Sequence, residues 1–177
     1  MRIRGLAFVV PVLCALSLQA PISLAEEVLI NYEYTQTPQI DFSKTSKGSL
    51  KVAAFTDKRT VTDAREISGL QAEEPLADIV RDALVQAFSA GGALLVEDGQ
   101  SLTLEGELTE VLVAEKDAGV EVTIRTHVTL KQGARTAFDT VIFGRAAGAT
   151  VDEAVRATLD KLVNSLIMDD YFLMEAI

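Results

Sequence analysis

One cysteine, one histidine and no tryptophan occur in 177 residues, and each scarcity closes off a class of function. The cysteine, Cys14, lies inside an apolar run near the N-terminus, so the rest of the chain has no thiol nucleophile and no disulfide. Structural zinc takes several ligands drawn mostly from Cys and His, which His127 alone does not supply. A Ser-His-Asp triad would need that same histidine, and no serine sits in a Gly-x-Ser-x-Gly turn. Gly91-Gly92 is followed by no Lys-Ser/Thr pair, as a phosphate-binding loop requires. Basic residues are also in deficit: 16 Lys and Arg against 26 Asp and Glu leave a net charge of −10. Such a surface repels nucleic-acid phosphates and anionic headgroups, and no cluster of Lys and Arg offsets it. The expectation is a protein that is not an enzyme, with no catalytic residues, no cofactor and no metal, and with no nucleic acid among its partners.

What is present begins with an address label. Arg2 and Arg4 precede an apolar run from Leu6 to Leu18, broken by Pro11, and Ser23-Leu24-Ala25 ends in small residues. This is the composition of a secretory signal peptide, and the run is shorter than the ~20 apolar residues of a transmembrane helix. Pro21 disfavours cleavage after Ala20, so the mature chain is expected to start at Glu26. Lipidation of Cys14 would need a small residue before it, and Leu13 is large. An exported, unlipidated periplasmic protein is expected, with association to the outer membrane as a further option. Residues 26–177 then form one domain of 152 residues with a net charge of −12, since the leader removes two arginines and no acid. A domain of that length buries ~70% of the surface its unfolded chain exposes, enough for a core without staples.

The patterning predicts an α+β fold. From Ser101 to Gly148, three strand-like segments follow one another. In the clearest, Val120, Val122, Ile124, Val128 and Leu130 alternate with Glu121, Thr123, Arg125, His127 and Thr129, the period of a strand with one buried face. Leu102, Leu104 and Leu108 share one register and Val111 and Val113 the other, which predicts a bulge near Thr109 or Glu110. Phe138 and Ile142 oppose Val141 and Phe143, predicting a last strand covered on both faces at its far end. Earlier, Glu26–Tyr34 reads as a strand with Val28, Ile30, Tyr32 and Tyr34 on one side. Leu50–Phe55 reads as a short buried strand, and Ala93–Val96 as another.

Two helices flank the meander. Pro75 suits a first helical position. Leu76, Ile79, Val80, Ala83, Leu84, Ala87 and Phe88 form one stripe, and Gly91-Gly92 ends it. Thr150-Val151-Asp152-Glu153 has the form of a capping box before a broad apolar face of Val151, Val155, Leu159, Leu162 and Leu166. The aromatic tail Tyr171-Phe172 is placed to fold back on the core. The predicted architecture is a mostly antiparallel sheet of four to six strands with two helices packed on one face.

Few residues stand out as functional candidates. His127 falls on the wet face of its strand, where it is a surface residue or, alternatively, a general acid or base. Asp169-Asp170 could hold a divalent cation or simply solvate a helix end. The segments Thr35–Gly48 and Lys58–Glu74 read as loops, the second long and unpatterned. Asp57 and Arg59 stand where that second loop leaves a strand. They are either an anchor that ties the loop down or a contact for a ligand, and the loop they carry is the expected contact surface.

Val52-Ala-Ala-Phe-Thr-Asp57-Lys-Arg59, the helix with Ala83-Leu84, Leu102-Thr-Leu104, Gly144-Arg145 and Leu166-Ile-Met-Asp169 together resemble the YajG-like family of Gram-negative envelope lipoproteins, over residues 50–172. That resemblance implies an envelope location and a helix-and-sheet domain, and it carries no settled activity. The chain departs from the family at Leu13 before Cys14. More distantly, the order strand, helix, strands, helix is similar to LptE-like and ABC-transport auxiliary lipoproteins, accessory parts of lipid-export machines. Two functions follow as expectations. The first is a non-enzymatic periplasmic accessory or binding protein acting through an envelope protein partner. The alternative is a carrier or assembly factor for a lipid or lipopolysaccharide.

Overall fold

A computed structural model describes residues 27–44 and 47–177. The leader, Cys14 and the cleavage site before Glu26 lie outside the described residues. The fold is α+β: a five-stranded sheet covered on one face by helices, with a small three-stranded sheet beside it.

The centre is the meander of β6 (Leu102–Lys116), β7 (Gly119–Gln132) and β8 (Arg135–Gly148). Its two joints are antiparallel, with Leu104 opposite Leu130 and Leu130 opposite Phe138. The β6–β7 register slips between Leu108 and Glu110, at the position where the period-2 pattern shifts, and the β7–β8 register between Leu130 and Lys131. Beyond the bulge Val111 and Val113 return to the helix-covered face, opposite Ile124 and Val122. The sheet is not wholly antiparallel. Of the segment expected as one strand, Leu50–Phe55, only β2 (Leu50–Val52) is strand; β3 (Thr56–Asp57) follows just beyond it, and both run parallel to β6. Ala93–Val96 makes only a bridge, Leu95 to Leu50.

Helix α1 (Leu76–Ala90) and helix α2 (Val151–Ile167) pack side by side on the same sheet face. Leu84, Leu104, Leu108, Ile124, Leu130, Leu159 and Leu162 fill the space between helices and sheet and are fully buried. α2 lies directly against β8, and two glycines make that approach possible. A Cβ on Gly144 would strike the Thr158 carbonyl oxygen, and one on Gly148 would lie 2.5 Å from Ala154 N. A third helix, α3 (Asp170–Ala176), completes the layer. Asp169 caps it by accepting from the Tyr171 and Phe172 N–H groups, which gives the aspartate a structural role at a helix start. Phe172 is buried, 5.5 Å from the Phe138 ring and 5.9 Å from that of Phe88.

Four expectations are corrected. The first segment is a strand only over β1 (Glu27–Val28); the rest is an extended strap across the helices. Ile30 N–H donates to Glu73, Tyr32 hydroxyl to Asp160 on α2, and Tyr34 N–H to Gln86 on α1. The apolar side of the strap finds helix side chains to pack against, so it needs no ladder. Residues 58–74 are not featureless: β4 (Glu66–Ile67) and β5 (Leu70–Ala72) form a tight hairpin turning at Ser68 and Gly69, both at positive φ, and β5 pairs in parallel with β1. The capping box does not close: Thr150 hydroxyl donates to Asp152, and Glu153 accepts from Ala149 N–H. Finally, β8 is covered on one face only, and Val141 and Phe143 stand half exposed.

Candidate functional site

Asp57 and Arg59 meet at the end of β3. Arg59 Nη2 lies 2.6 Å from Asp57 Oδ2, and Nε lies 3.0 and 3.1 Å from the two carboxylate oxygens. Further guanidinium donors reach Glu66 O at 2.8 Å and Ala64 O at 2.9 Å. Both side chains are buried, 6% and 14% exposed. Four of the five guanidinium N–H groups of Arg59 bond within the chain, so its geometry is that of an anchor holding the turn before β4. A second pair, Asp63 with Arg65, stiffens the same turn, and the Arg65 backbone N–H holds the Asp63 carboxyl below its usual range.

The anchored turn forms one wall of a groove. The other wall is β6 beyond its bulge. β2 and β3 occupy the outer edge of β6 only as far as Leu108, where Leu108 O accepts from Lys58 N–H. From Glu110 to Lys116 no backbone hydrogen bond reaches that edge among the described residues. The groove has a volume of about 390 Å³ and is open to solvent, with Arg59, Val61, Glu66 and Ser68 on one side and Glu110 to Val113 on the other. Val61 and Leu112 are exposed in it. An unpaired strand edge beside apolar side chains can accept an extended peptide as an added strand.

The sheet face away from the helices carries a chain of opposite charges. Lys58 meets Glu107, and His127 lies between Glu107 at 4.0 Å and Asp139 at 2.9 Å. Thr129 also donates to Asp139, and these two bonds, His127's first, hold the Asp139 carboxyl below its usual range. Arg145 pairs with Glu121, which Lys116 also reaches. Arg125 pairs with Glu110 and lies over the Phe143 ring, 5.6 Å from its centre. His127 is thus a partly exposed strand residue held between two carboxylates, with no serine or cysteine bonded to it among the described residues. Among the described residues no group of three or more metal-ligating side chains occurs, and no helix is long and apolar enough to cross a membrane.

Sequence reasoning marked the loop and its anchor but missed the vacant edge. The signal was available in part: the register slip at Thr109 shows where β6 departs from the strands beside it. That β2 and β3 stop before that slip depends on tertiary pairing, which no local pattern encodes.

No family model matches the chain, and no curated protein does. Solved structures show its fold. The Xanthomonas campestris protein XCC0632, described under the family DUF330, is similar at a TM-score of 0.61 and 15% identity, over 81% of this chain and 93% of that one. The hypothetical protein CT253 of Chlamydia trachomatis is similar at 0.54 and 8%, over 70% and 95%. A minor lipoprotein from Acinetobacter baumannii scores 0.45 at 10% identity, over 73% and 97%. At these identities the first two share the architecture alone, and the third is too distant to bear on it.

Proposed function

We propose that this chain is a non-enzymatic accessory protein of the bacterial envelope, exported to the periplasm, that binds an extended segment of an envelope protein along the vacant edge of β6. The leader of residues 1–25 supports export, and the resemblance of residues 50–172 to the YajG-like family supports an envelope role. The observation that carries the reading is the groove between that edge and the turn pinned by Arg59. Its apolar residues, Val61 and Leu112, suit alternate side chains of an added strand, while Glu66 favours a basic residue at its flank.

The competing function, a lipid or lipopolysaccharide carrier, calls for a long apolar cavity between helices and sheet. That space is packed with side chains. The recess at its margin, beside Phe42, Phe88 and Ala176, has a volume of about 20 Å³, the scale of one water molecule.

Photocrosslinking amino acids at Val61 and Leu112, with Leu94 as a distant exposed control, test the proposal in intact cells. Both groove positions are expected to label the same extended segment of one envelope protein, and Leu94 is not. Labelling that is equal at all three positions refutes it. So does a stoichiometric lipid released from the purified protein.

A further inference from the structure

The second free edge of the sheet belongs to β8, and it is fourteen residues long. No backbone hydrogen bond reaches its outer side among the described residues. Long exposed edges template pairing with other strands, and proteins blunt them with proline, bulges, lysines or a covering element. From Phe138 to Gly148 β8 has no proline and no lysine and pairs without a register shift. Beside the edge, Val141 and Phe143 stand half exposed on the open face.

The backbone directions are fixed by the pairing. Leu108 turns its carbonyl outward to Lys58 N–H, so its pair mate Thr126 turns its own amide and carbonyl toward β8, where it meets Ile142. In an antiparallel ladder these directions alternate, so Asp139, Val141, Phe143 and Arg145 aim their N–H and C=O groups away from the sheet. Their side chains all lie on the open face.

We propose that β8 pairs with β8 of a second copy of this chain, antiparallel, about a two-fold axis through Ile142. In that register Val141 of each copy faces Phe143 of the other, and Asp139 of each faces Arg145 of the other. Both apolar positions are covered and both charges meet their opposite. Neighbouring registers do worse. An axis through Val141 sets Asp139 against Phe143, an axis through Phe143 sets Val141 against Arg145, and an axis through Thr140 sets Arg135 against Arg145. A slip of one residue would oppose open-face to helix-face side chains. The chosen register also continues the charge chain of the open face. Lys58, Glu107 and Asp139 of one copy, with His127 bonded between the two carboxylates, run into Arg145, Glu121 and Lys116 of the other. The result is one continuous sheet through two molecules, with both helical layers on the same side. The β6 groove lies at the opposite edge of each copy and remains open, so this inference does not depend on the function proposed above.

Sedimentation velocity of the purified full chain over a wide dilution series is expected to give a dimer. Val141→Lys adds a charge to the free edge at a half-exposed site, so it is expected to fold with the parent's circular dichroism spectrum and to sediment as a monomer. Asp139→Arg is expected to be monomeric, and the exchange Asp139→Arg with Arg145→Asp to restore the dimer. With Cys14 replaced by serine, Val141→Cys with Phe143→Cys is expected to form an interchain bond between positions 141 and 143 under mild oxidation. A monomeric parent chain overturns the proposal. So does a dimer that survives Val141→Lys, or a chain-to-chain bond that forms in Val141→Cys alone.

Discussion

Arg59 folds back on Asp57, two residues earlier, and closes a two-pronged ion pair whose Nη2–Oδ2 distance is 2.6 Å. The pair lets a short chain reversal serve as a rigid wall. Because both groups are nearly out of water, they stabilise mainly by satisfying each other, and removing one leaves the other stranded.

Arg59→Ala is therefore expected to destabilise by about 3–5 kcal/mol, the cost of an uncompensated buried charge, and to free the turn before β4. Denaturant midpoints measure the first effect. Limited trypsin digestion at Lys58 and Arg65 measures the second. Partner capture should fall with the loss of folded protein and with the loosening of the groove wall, never without a loss of stability. A variant of parental stability that loses capture would make Arg59 a contact residue instead of an anchor.

Leu84→Ala and Leu159→Ala each remove a fully buried side chain at the helix–sheet interface. Each is expected to cost ~2–5 kcal/mol. His127→Ala loses a partly exposed pair with Asp139 and is expected to cost under ~1 kcal/mol. Chemical denaturation of the three variants should rank His127→Ala mildest; any other order contradicts the assigned strand facing.

Gly144→Ala would drive a methyl into the Thr158 carbonyl, which belongs to helix backbone and has little freedom to yield. The expected loss is at least the ~1–3 kcal/mol typical of overpacking. Gly133→Ala is the informative contrast, since no atom lies near its Cβ position and only its positive φ resists the change. Thermal melts should separate the two clearly.

Acid should weaken the fold. Asp139, held down first by His127, and Glu121, held down first by Arg145, titrate below their ordinary values in the folded chain. Asp41 is drawn down to about 2, chiefly by Lys44. Each pKa is lower folded than unfolded. The stabilisation is thus complete above the ordinary carboxylate range near pH 4, and it fades as pH falls through the folded values. Melting midpoints are expected to hold above about pH 5 and decline steadily below about pH 4. Midpoints that rise on acidification would contradict these pairings.

The helices, the meander and the bulge at Leu108–Glu110 were legible because side-chain period alone determines them. The strap was misread for an instructive reason. Val28, Ile30, Tyr32 and Tyr34 alternate as a strand would, but alternation reports one-sided burial, and a helix pair can provide the burying surface as well as a sheet can. The β4–β5 hairpin was lost because only two residue pairs form it, although Ser68-Gly69 is a turn signal. Val141 and Phe143 were assigned a covering layer from their apolarity, and among the described residues of a single chain none covers them. At the candidate site, Asp57 and Arg59 were singled out by their place at a strand end, while the groove beside them arises from where two parallel strands stop.

The strap also sets an order of events. Tyr32 bonds to Asp160 and Gln36 to Asn164, each across 128 residues of sequence. The N-terminal segment is made first, and its docking groove does not exist until α2 has been delivered. Contacts of such long sequence separation form late and slow the approach to the native state. A chain leaving a ribosome or passing through a pore thus keeps its leading end undocked until most of its length has arrived, and seating of Tyr32 between the helices marks the end of folding.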